Sequence, residues 1–231
     1  MTDRKHDIDA LLVRSDDDFA GIESKYNESL RAQEVSTDLR IDIKNLCGNL
    51  RSVLDYLAHE IRDRHCPFAN PKDRFYFPIL PDHSTFESQM SKWFPDLKTS
   101  CPDLWDYLES IQPYHPDYVW LGHFNRLNNE NKHGRLVEQT RSKRQEVKAT
   151  TQGGGQVRWN PQNVKFGSGV RIGGVPVDPR TQLPAPHPSQ KVEHITWVDF
   201  RFEGIGVSAL QLLKSTLEGI QWLSTKVFDW L

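Results

Sequence analysis

Apolar positions recur at helical spacing over much of the chain. The longest run is Leu39, Ile43, Leu46, Leu50, Val53, Leu57 and Ile61. Steps of three and four put these residues on one face of a helix. The pattern predicts a helix from about Val35 to Arg64, about 45 Å long at 1.5 Å per residue, which is enough to be the backbone of a bundle. A shorter stripe of Phe19, Ile22, Tyr26 and Leu30 predicts a first helix running to about Ala32. Its start is expected after Asp16-Asp17-Asp18, because carboxylates suit a helix N-terminus. That leaves residues 1–15 as a flexible arm.

Pro67, Asn70 and Pro71 stop the long helix, and Phe75 to Leu80 reads as a short strand. Ser84-Thr85-Phe86-Glu87 is a capping start for a short helix. Further helices are expected from Pro102 to Ile111 and from Pro116 to near Gly134, proline being suited to a first turn. From Ser142 to Gly204 the character changes, with glycine and proline concentrated and β-branched residues alternating with polar ones. Gln145–Thr151, Gln156–Trp159, Asn163–Phe166, Gly169–Ile172 and Lys191–Glu203 read as antiparallel strands, and Pro179 to Ser189 as an exposed loop. A last helix, Val207 to Leu231, carries Leu210, Leu213, Leu217, Ile220 and Val227, and its end is rich in tryptophan. Such an end suits either core packing or a dimer surface. The fold class is therefore α+β: an antiparallel helical bundle (residues 16–141 with 205–231) and an antiparallel β-rich insertion (142–204) before the C-terminal helix.

Composition narrows the function more than it identifies it. The 231 residues carry a net charge of -2, which gives no global field to attract nucleic acid. Cys47, Cys66 and Cys101 are odd in number and far apart, so neither a disulfide framework nor a zinc ribbon is expected. No signal-peptide pattern opens the chain and no long apolar run crosses a membrane, so a cytoplasmic protein is expected. Gly153-Gly154-Gly155 lacks the Gly-Lys-Ser/Thr that a phosphate loop needs. No metal or other cofactor motif is present, and no serine hydrolase elbow.

The best candidate site is Arg126-Leu127-Asn128-Asn129-Glu130-Asn131-Lys132-His133. At about 100° per residue, Asn128 and Asn131 fall on the apolar face set by Trp120, Phe124 and Leu127, while Arg126 and Glu130 point away. Two inward amides need partners, so they either cross-link backbone or line a polar cleft. In the second case His133 could act as acid and base near neutral pH, and Lys132 or Arg126 could neutralise a phosphate. A second candidate is Arg51 with Asp55 and His59 on the long helix, where Arg51 and Asp55 are spaced for a helical ion pair. Against the Leu50–Leu57 seam this stripe turns outward and reads as a solvated charged face.

Two blocks, Asn49-Leu50-Arg51-Ser52-Val53-Leu54-Asp55-Tyr56-Leu57-Ala58 and Leu127-Asn128-Asn129-Glu130-Asn131-Lys132-His133-Gly134-Arg135-Leu136, occur with Phe77-Pro78-Ile79 and Ile111-Gln112-Pro113-Tyr114 between them. Together they resemble a group of uncharacterised bacterial proteins. Arg126 followed by His133, with six residues between, is similar to the motif of HEPN domains. These are helical bundles, often dimeric, many of which act as metal-independent ribonucleases in toxins and phage defence. The resemblance implies a homodimer, RNA or a nucleotide as ligand, and Arg126 and His133 as the catalytic pair; the helix faces themselves nominate Asn128, Asn131, Lys132, Arg51 and Asp55 as ligand-binding or positioning groups. The alternative is a non-enzymatic homodimeric binding or regulatory protein built around a buried asparagine and histidine network.

Overall fold

In a computed structural model the described residues are 4–32, 34–133, 139–161, 163–202 and 205–231. Within some of these elements the side chains of Arg31, Lys132, His133, 139–145 and 194–198 also lie outside the described set. The chain is α+β, with a β insertion ahead of the C-terminal helix. It divides into two compact units, one of residues 1–140 with 201–231 and one of residues 141–200.

In the first unit α1 (Arg4–Ala32) and α2 (Thr37–His65) form a long hairpin. Side-chain contacts step along it: Arg4 reaches Glu60 and Asp63, Asn49 reaches Asp18, and Lys25 reaches Asp42. All seven apolar residues of the expected α2 stripe are buried. Ser36 caps the helix, its hydroxyl accepting from the Leu39 amide at 3.1 Å, and Arg62, Arg64 and His65 complement the dipole at the far end.

The start of α1 differs from the expectation of an arm over residues 1–15. The helix already begins at Arg4, and Ile8 is fully buried. Its seam runs through Ile8, Ser15, Ile22, Tyr26 and Ser29, all buried, so two serines occupy core positions and interrupt the apolar pattern. Ser15 satisfies its hydroxyl locally by donating to the Leu11 carbonyl at 2.7 Å. Asp16, Asp17 and Asp18 sit in mid-helix rather than at its start.

Phe75 to Leu80 is extended but pairs with no strand. It is held by Gln112, which is fully buried. The Leu80 amide donates to Gln112 Oε1 at 2.9 Å, and Gln112 Nε2 donates to the carbonyls of Pro78 at 3.2 Å and Leu108 at 2.6 Å. One side-chain amide thus replaces a missing β ladder. α3 (His83–Trp93) is capped by Asp82 rather than by Ser84, with α4 (Leu97–Ser100) and α5 (Pro102–Ser110) following. After a 3-10 turn at Pro116–Tyr118 comes α6 (Val119–His133). α7 (Ala209–Phe228) packs on α1, α2 and α6. At its contact with α6 the Trp120 ring lies flush on Gly219, where a Cβ would come within 2.4 Å of the ring.

The second unit is β-rich. One sheet has the order β2-β1-β6, from β1 (Gln139–Thr151), β2 (Gln156–Trp159) and β6 (Gln190–Phe202). The other joins β3 (Arg171–Ile172), β4 (Val175–Asp178) and β5 (Leu183–Pro184) in antiparallel pairs. Three details depart from the sequence reading. Val175–Asp178, for which no strand is expected, forms β4. Asn163–Phe166 forms no strand; instead Gln182 receives the Phe166 amide at 2.6 Å and donates to its carbonyl at 3.1 Å. The stretch read as a loop over Pro179 to Ser189 contains β5. Val147, Ala149, Trp159, Ile172 and Val177 form the core of this unit.

Candidate functional site

α6 presents two faces of opposite character. Leu121, Phe124 and Leu127 are buried, and Asn128 and Asn131 continue that face at 3% and 7% exposure. Arg126 lies on the other side, its side chain 53% exposed and its Nε 2.8 Å from Glu130 Oε1. Arg126 therefore does not share a wall with the two asparagines. The side chains of Lys132 and His133 lie outside the described residues, so the expected Arg126–His133 pairing is described only at the level of the helix backbone.

The inward asparagines open on a cavity of about 590 Å³ between α1, α2 and α6. This volume is in the range of small-molecule sites, about 300–1,000 Å³. Asn45 and Asn49 of α2 line it together with Asn128 and Asn131, so the two sequence blocks meet in one place. Six charged residues complete the wall: Arg14, Asp17, Asp18 and Lys25 from α1, and Asp42 and Lys44 from α2. Asp18 is held from two sides, by Arg14 Nε at 2.9 Å and by Asn49 Nδ2 at 3.2 Å. Lys25 pairs with Asp42, and the hydrogen bond to that carboxylate holds the ammonium above its ordinary range. Three cations and three anions leave the wall without net charge.

Two glycines keep the cavity open. Gly21 and Gly48 both line it, each in the middle of a long helix. A Cβ at either position would meet no atom within 4 Å. Glycine in a helix interior costs about 1 kcal/mol relative to alanine, and packing does not require it here. The Asn128 amide is the least expected member of the wall. Among the described residues it has no hydrogen-bond partner, although the residue is almost wholly buried and faces the cavity.

The Arg51 stripe corrects the reading of a solvated face. Arg51 is buried, with Nη2 2.8 Å from Asp55 Oδ1 and its guanidinium over the Tyr76 ring at 5.9 Å. About three helical turns beyond, Arg62 is also buried, donating to the carbonyls of Asn70 at 2.7 Å and Asp73 at 3.3 Å and stacking on Phe75 at 4.2 Å. The segment after the helix folds back over this side, so both arginines strap residues 70–76 to α2. Neither Arg51 nor Asp55 lines the asparagine cavity. His59 stays exposed at the edge of this strap, its ring 4.6 Å from that of Phe75.

The residues that sequence reasoning missed are Gly21, Asn45, Gly48 and the ring of charges. A mid-helix glycine was the available signal, but its meaning depends on which residues face it from the neighbouring helix. Among the described residues no helix is long and apolar enough to cross a membrane, and no group of three or more His, Cys, Asp or Glu is arranged to hold a metal ion. No family model, curated protein or solved structure matches the chain, so the reading of the cavity rests on its own geometry.

Proposed function

We propose that the chain is a cytosolic binding protein that holds a small polar molecule in the α1–α2–α6 cavity. The observation that carries this reading is Asn128, a residue 3% exposed whose amide has no hydrogen-bond partner among the described residues and lines a space that two helix glycines leave open. Its amide offers the cavity a donor and an acceptor that no protein group among the described residues uses. Amides do not titrate, so the asparagines recognise rather than transfer protons. Replacing Asn128 with leucine, which has the same branched side-chain skeleton without the polar atoms, separates a ligand role from a structural one without knowing the ligand. Asn128→Leu is expected to raise the melting temperature of the ligand-free protein by about 2 °C or more. A lower melting temperature makes Asn128 a structural residue and overturns the reading.

A second reading keeps the HEPN-like ribonuclease, working as a homodimer on RNA. It is favoured by one feature of α6: positions 126 and 133 fall within about 20° of each other on the helix, two turns apart. Arg126 stands on the solvent side, where an external strand could reach it. In this reading Arg126 stabilises the phosphate and His133 moves the proton. RNA cleavage in EDTA, lost in His133→Ala with folding intact, is the expected result. Equal cleavage by mutant and wild type, or none by either, excludes it.

A further inference from the structure

Among the described residues the cavity wall sorts into groups that already have partners and groups that do not. Arg14 and Asn49 are both bound to Asp18, and Lys25 is bound to Asp42. Asn128 at depth, and Asp17, Lys44 and Asn45 at the rim, make no hydrogen bond or ion pair among the described residues. The unused chemistry is therefore one buried amide, one exposed carboxylate, one exposed ammonium and a second amide.

Each unused group selects something. An amide presents a donor and an acceptor side by side, and its natural complement is another edge of that kind. A ligand with net negative charge would approach Asp17, Asp18 and Asp42, and one with net positive charge would approach Arg14, Lys25 and Lys44. Either would meet three like charges on a wall that carries no net charge. A molecule carrying one charge of each sign has a counter-ion for each of the two charged groups without a partner, Lys44 and Asp17, and leaves both internal pairs intact.

We infer that the cavity binds a small zwitterion with a carboxamide group, the free amino acids glutamine and asparagine being the smallest members of the class. The carboxamide pairs with the Asn128 amide. The ligand's ammonium faces Asp17 and its carboxylate faces Lys44. Gly21 and Gly48 leave the space that its methylenes fill. This inference rests on the reading of the cavity as a binding site, and it adds what that site selects.

The test is thermal denaturation of the full chain with L-glutamine, L-asparagine, L-glutamate, L-aspartate, adenosine or inorganic phosphate, followed by titration calorimetry of any hit. Glutamine or asparagine at about ten times its dissociation constant should raise the melting temperature by roughly 3 °C, with glutamate and aspartate at least tenfold weaker. The shift should vanish in Gly48→Leu, which projects a side chain into the space between the helices, and in Asn128→Leu, which removes the edge. Equal or stronger binding of the carboxylate isosteres or of phosphate overturns the selection for a carboxamide, as does a shift that survives in both variants. Adenosine binding without amino-acid binding overturns the zwitterion. A shift from none of the compounds also overturns the inference. The binding reading itself is then decided separately by the ligand-free stability of Asn128→Leu.

Discussion

Gly48 and Asn128 face the same space from different helices, and both are poor choices for stability alone. Asn128 puts an amide without a partner among the described residues on an otherwise apolar helix face, and Gly48 puts a flexible backbone in the middle of α2. Residues kept against stability mark sites where function sets the choice. The orientation of Asn128 and Asn131 was legible in the sequence, because helical periodicity alone places them with Phe124 and Leu127. The role of Gly48 was not, since it depends on the pairing of α1 with α2, which long-range contacts determine. Gly48→Ala should therefore stabilise the free protein, because its methyl meets no atom within 4 Å and alanine is favoured in a helix by about 1 kcal/mol. A rise of about 2–4 °C in melting temperature is expected for a chain of this size. Gly219→Ala is the opposing control. There a Cβ would come within 2.4 Å of the Trp120 ring, and overpacking should lower the melting temperature. If both alanine variants move in the same direction, the open-cavity explanation of Gly48 fails.

At the scale of elements, a helix was readable where its seam was continuous and obscure where polar residues entered it. α2 has apolar residues at each expected seam position, and its expected bounds lie close to the observed ones. α1 has Ser15 in its seam between Ile8 and Ile22, so its first three turns read as an arm. The segment Phe75–Leu80 looked like a strand because it is extended and apolar, yet its backbone bonds go to Gln112, more than thirty positions away in sequence. Short-range pattern cannot reveal such a partner. The start of α3 turns on a single side chain and gives a pH prediction. Asp82 accepts from the Thr85 amide at 2.8 Å and from its hydroxyl at 2.9 Å, and these bonds hold the carboxyl below its ordinary range. A group whose folded pKa is lowered contributes stability above its unfolded value, and that contribution fades as pH falls through the folded one. Asparagine at this position still caps but does not titrate. The melting-temperature difference between wild type and Asp82→Asn should be positive near pH 6 and shrink below about pH 4. A difference that stays constant across the acid limb would mean that this cap does not titrate on folding.

At the scale of the whole molecule, the β segment is an insertion with a core of its own. The chain leaves the helical unit after Thr140 and returns at Arg201. A unit of about 60 residues buries only some three-fifths of its unfolded surface, against about 70% for a unit near 150 residues. The inserted core is correspondingly small, with Trp159 packed edge-on against Phe166 at 5.3 Å and four aliphatic residues around it. The helical unit instead buries an apolar seam along α1, α2, α6 and α7. Two cores of unequal size need not melt together, and the smaller should open first. Hydrogen exchange read by mass spectrometry along a urea series measures this peptide by peptide. Amides of 147–159 are expected to lose protection at lower urea than those of 43–61. The helical signal in circular dichroism should keep most of its amplitude at the first transition. Coincident loss of protection in both regions would make the chain one cooperative unit, and would mean that the insertion takes its stability from the bundle rather than from its own core.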